Sequence, residues 1–119
     1  MSQHNIAADK TLLTATIAIS ASLSDGVYLG DAQLCAIKMP AAWTTGGLSL
    51  QTSLDGVAYN NVFTSSGEYT IGAAAGSWIT LDPTYIKGLG TYIKVRSGTS
   101  GSPVVQEAAR TIGLYVREF

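Results

Sequence analysis

A period of two runs through this chain almost from end to end, and no segment of useful length repeats at helical spacing. In Leu48–Leu54, Leu48, Leu50, Thr52 and Leu54 alternate with Ser49, Gln51 and Ser53. In Thr11–Ser20, Leu13, Ala15, Ile17 and Ile19 share one face, and Thr and Ile enrichment suits a pleated strand. Ala32–Met39 places Cys35, Ile37 and Met39 on one side, and Arg110–Glu118 places Ile112, Leu114 and Val116 inward. Thr91–Ser97 sets Tyr92 and Lys94 against Ile93 and Val95; Trp78, Thr80 and Asp82 alternate with Ile79 and Leu81. Shorter extended pieces fall at Val27–Leu29, around Tyr59–Phe63 and at Tyr69–Ile71. Turn signals punctuate them: Ser24-Asp25-Gly26, Met39-Pro40, Asp55-Gly56, Ser65-Ser66-Gly67 and Asp82-Pro83. Thr84–Gly90 reads as one helical turn or an irregular loop. About seven or eight strands at this spacing predict an all-β antiparallel sandwich or barrel, residues 11–119, preceded by a polar N-terminal arm, residues 1–10.

Composition narrows the class further. Charged residues are 13% of the 119, with net charge −1, while hydrophobic residues reach 46%. Disorder calls for the opposite balance, and a long helix or coiled coil for many more Glu, Lys and Arg. The apolar runs are too short for a membrane span, and Met1–Asn5 shows no secretory pattern, which predicts synthesis in a cytoplasm. A chain of this size buries about two thirds of its surface, enough for a core without metals or disulfides. Cys35 is the only cysteine and reads as a small core hydrophobe rather than a reactive thiol. Residues 1–86 carry net charge −4 and residues 87–119 carry +3, an asymmetry that interleaved strands would erase. No basic cluster interleaved with aromatics points to nucleic acid.

Chemistry-bearing constellations are missing from the sequence. His4, the only histidine, lies in the arm and 31 positions from Cys35, which makes neither a hydrolase triad nor a zinc set. Asp25, Asp31, Asp55 and Asp82 each sit at a turn, where aspartate serves local geometry more often than calcium. Gly88-Leu89-Gly90 lacks the third glycine of a dinucleotide loop. The expectation is a non-enzymatic protein without cofactor or metal. Aromatic residues leave a contact signal: two Trp and six Tyr in a sparsely charged chain. Trp43, in a predicted loop, either meets a partner or folds back as a lid on the core.

Two stretches carry a resemblance. Met39-Pro40-Ala41-Ala42-Trp43-Thr44 leads into Leu48-Ser49-Leu50-Gln51-Thr52-Ser53-Leu54-Asp55-Gly56; Ile79-Thr80-Leu81-Asp82-Pro83 leads into Tyr92-Ile93-Lys94-Val95-Arg96-Ser97-Gly98-Thr99. Together, over residues 12–117, they resemble small β-sandwich head proteins of tailed bacteriophages, similar to discoidin-type, galactose-binding jelly rolls. The resemblance implies a jelly-roll-like fold and a virion component made in the host bacterial cytoplasm. Its role would be that of a decoration or cement protein on the capsid surface, binding between major capsid subunits and to copies of itself, without nucleic acid or membrane. Contact would fall on the arm with His4 and Lys10, and on Trp43, Tyr59 and Tyr85. The alternative it leaves open is a glycan- or receptor-binding module of a head fibre or tail.

Overall fold

The computed structural model describes residues 10–118; His4 and the rest of 1–9 lie outside the described residues. Among the described residues, eleven strands and one helical turn follow in chain order. They are β1 Lys10–Ile17, β2 Val27–Tyr28, β3 Gln33–Lys38, β4 Leu48–Ser53, β5 Asn60–Asn61 and β6 Phe63–Thr64, then β7 Gly67–Glu68, β8 Thr70–Ile71 and β9 Trp78–Thr80. After these come α1 Pro83–Ile86, β10 Tyr92–Ser97 and β11 Arg110–Arg117. The strand positions agree with the period-two segments, and the expected helical turn is α1, started by Asp82, whose Oδ1 accepts from the Thr84 N–H at 2.9 Å.

One sheet has the order β1-β11-β3-β9 and the other β2-β10-β4, with β5 and β8 both pairing β4. All pairings are antiparallel, and the chain alternates between the two sheets from β1 to β4 and again from β8 to β11, while β5 and β8 stay in the sheet of β4. That is a jelly-roll sandwich. Its core takes one face of each strand: Ala15, Ile17, Leu34 and Ile37 with Ile112, Leu114 and Val116 from one sheet, and Leu48, Leu50, Ile93 and Val95 from the other. β10 and β11, which hold most of the C-terminal positive charge, lie in the middle of the two sheets between N-terminal strands. The charge asymmetry along the chain is therefore mixed in space.

Four residues depart from the sequence expectation, each for a local reason. Lys10 opens β1 instead of closing the arm. Ile19 is 62% exposed, because β1 ends at Ile17 and the chain turns through Ser20, at φ 66°. Cys35 falls out of the core because a bulge interrupts β3. Tyr115 pairs with Ala36 while Val116 pairs with Leu34, so Leu34 turns inward and the half-buried Cys35 thiol donates to the Gln33 carbonyl. Leu54 is 83% exposed, since β4 stops one residue earlier than its alternation.

Two buried polar side chains hold the connections to the sandwich. Gln106, fully buried, donates to the Ser97 hydroxyl at 2.7 Å and the Thr44 carbonyl at 3.1 Å, and accepts from the Thr44 N–H and the Arg110 Nε. Arg96 pairs with Glu68 at 3.2 Å and donates to Asn61 Oδ1 at 2.6 Å and to Ser49 Oγ, tying the β5–β8 excursion to the middle strand. Glu68 in turn accepts from the Ser100 N–H and hydroxyl. Gly98, at φ +86°, has no room for a Cβ, which would stand 2.5 Å from the Ser102 carbonyl oxygen.

Candidate contact surface at the loop end of the sandwich

Three connections meet where β3 begins and β4 ends: residues 29–32, 54–59 and 87–91. The middle one carries the most exposed large apolar side chains among the described residues. Leu54 is 83% exposed and Val57 84%, yet the backbone between them is closely held. Ser53 Oγ accepts from the Gly56 N–H at 2.8 Å and the Asp55 N–H at 3.2 Å, and donates to Asp55 Oδ1. Asp55 Oδ1 accepts from the N–H groups of Val57 and Ala58 at 2.9 and 3.0 Å. This is aspartate acting as a turn former. Those backbone bonds, with the Ser53 hydroxyl, hold the Asp55 carboxyl below its ordinary value.

Gly56 adopts φ +79°, and a Cβ there would sit 3.1 Å from the Tyr92 ring, so the loop lies flat on an aromatic floor. Tyr92 pairs with Tyr28 at 5.2 Å between ring centroids, and Tyr28 is 62% exposed. Beside them Tyr59 carries the Lys94 ammonium 4.5 Å from its ring centre. Leu54 stands between two clefts. One, of about 330 Å³, runs between Leu29, Asp31, Gln33, Lys87 and Leu89; the other, of about 490 Å³, lies against Asp55, Ala58, Asn60 and Gly88.

The end therefore presents apolar side chains on a fixed backbone, next to hollows that a partner's side chains can fill. A loop already ordered before contact loses less entropy on binding. Among the described residues, no three His, Cys, Asp or Glu side chains come together as a metal set.

The residues singled out from the sequence divide between the two ends. Lys10 opens β1 beside the Arg117–Gln33 pairing, at the loop end. Tyr59 belongs to it as well, in the 54–59 connection; Tyr85, on α1, is 44% exposed and its ring meets Tyr69 at 5.3 Å, apart from the residues that line the two clefts. Burial first, then Asp82 and Tyr85, raises the Tyr69 hydroxyl above its ordinary value. Trp43 sits at the opposite end, half-buried against the core, its indole N–H donating to the Gly46 carbonyl at 2.9 Å: of the two readings, the lid is the observed one. His4 lies outside the described residues. Leu54, Val57, Tyr28 and Tyr92 were not singled out. The available signal was Asp55-Gly56, which marks the strand end and so removes Leu54 from the alternation.

No family model matches the chain, and no curated protein was found to match its sequence.

Proposed function

We propose that this chain is a non-enzymatic bacteriophage virion protein, a capsid decoration or cement protein that binds between major capsid subunits through its loop end and stabilises the head. The observation that carries this is the pair Leu54 and Val57, more than four-fifths exposed on a loop with little freedom left. Large apolar groups in such a setting mark a contact surface. A jelly-roll core supplies the rigidity that a shell under internal pressure demands. Sparse charge lowers the cost of desolvating the rest of the face. The arm with His4 would add a second contact.

The test is rebinding to capsids stripped of the protein. Wild type should occupy the shell at hundreds of copies per particle and raise its resistance to heat. Leu54→Asp with Val57→Asp should fold normally and lose about 100-fold in occupancy, because charges at a contact centre are costly to desolvate. A handful of copies confined to a tail, or full occupancy by the double variant, would overturn the reading.

A glycan- or receptor-binding role has its own supporting observation, the exposed Tyr28 packed on the half-buried Tyr92, with Tyr59 and Lys94 alongside. Binding of the isolated protein to a glycan array, abolished by Tyr28→Ala, would favour it over capsid attachment.

A further inference from the structure

The edges of the two sheets are unequal. β2, β5 and β8 are two residues long and β9 three, too short to template another strand. β1 is eight residues long, carries no proline, and pairs with β11 in unbroken register from Lys10↔Arg117 to Ile17↔Arg110. Its outer side is closed at one point only among the described residues. The Thr16 N–H donates to Asp25 Oδ1 at 2.9 Å and the Thr16 carbonyl accepts from the Asp25 N–H at 3.2 Å. Thr16 therefore turns both backbone groups away from β11. In an antiparallel ladder that orientation recurs at every second residue, so Thr14, Leu12 and Lys10 present N–H and C=O outward as well. Leu12, 49% exposed, lies opposite Tyr115 on the outer face of the sheet.

We propose that β1 pairs with β1 of a second copy of this chain, antiparallel about a two-fold axis at Leu12, joining two four-stranded sheets into one continuous sheet. Asp25 selects this register. It occupies the position opposite Thr16, so a partner strand can use Lys10, Leu12 and Thr14 but nothing beyond. Centring on Leu12 engages all of them: Leu12 with Leu12 of the copy, and Lys10 with Thr14 of the copy. The two half-exposed leucines then cover one another and extend the row begun by Tyr115. This pairing does not depend on the capsid reading, because it is measured on the protein alone.

Sedimentation equilibrium of the full chain, with hydrogen exchange at several concentrations, tests it. The expected result is a dimer, with protection at the Leu12 and Thr14 amides that rises with concentration. Leu12→Lys puts two ammonium groups at the dyad, and Thr14→Pro removes an outward donor without touching the β11 ladder. Each should weaken dimerisation at least about tenfold while thermal unfolding of the monomer stays intact. A monomer at all concentrations overturns the proposal. So does protection of these amides that ignores concentration, which would mean that the chain covers its own edge, or a dimer that both folded variants retain. Capsid occupancy of the same variants is a separate measurement, so loss of one result leaves the other standing.

Discussion

Arg96 and Glu68 meet with side chains 8% and 13% exposed, the one ion pair in the described part of the molecule. Removing one partner leaves the other charge buried, which costs far more than the pair contributes. Glu68→Ala is thus expected to lose about 3 kcal/mol in urea unfolding. The double variant Arg96→Met with Glu68→Leu should lose less than that single change, because no orphan charge remains. Nothing in the sequence set Arg96 apart from Lys94, the other base on its strand. It lies on the same face as Tyr92 and Lys94, and it is buried only because the β5–β8 excursion folds over it. Gln106 is the same lesson in a neutral group. Its partners are Thr44, Ser97 and Arg110, and one of these lies 62 positions away, so no local pattern announces the site. Gln106→Leu would strand the Thr44 amide and should destabilise by roughly 2 kcal/mol in the same assay.

At the scale of an element, the 54–59 loop links physical chemistry to the proposed contact. Asp55 carries the turn as a carboxylate, and its value is lowered on folding by the Val57 and Ala58 amides first. A lowered value means that the stabilisation is present above the ordinary carboxylate range and is lost as pH falls through the folded value. The Val57 and Ala58 amides should therefore hold their folded NMR shifts at neutral pH and move together on acidification below about pH 4. Asp55→Asn keeps an acceptor and should abolish that pH response with the loop still ordered; Asp55→Ala should release the loop at every pH. The sequence located this turn through Asp55-Gly56. It carried Leu54 into the core, however, because alternation contains no record of where a strand stops pairing. The bulge at Cys35 is the corresponding case inside a strand: one unpaired residue reverses which neighbours face inward, and only the partner strand reveals it.

At the scale of the molecule, the last strands in sequence are central in space. β11 lies between β1 and β3, and β10 between β2 and β4. Neither sheet closes until its late strand, β10 in one and β11 in the other, is in place. A chain truncated before Arg110 is expected to show no cooperative thermal transition by circular dichroism, since β1 would lose its one ladder partner among the described residues. The sequence by itself determined the class of fold: period-two segments and frequent turn residues exclude helices, and sparse charge leaves faces that pack or pair. It determined the inward faces of β10 and β11 as well, because side-chain alternation is a local property of extended backbone. Tertiary structure alone decided which apolar residues stay outside, which charges become buried, and which edge remains open. Those outcomes depend on contacts between residues far apart in the chain, and a pattern confined to neighbours in sequence carries no information about them.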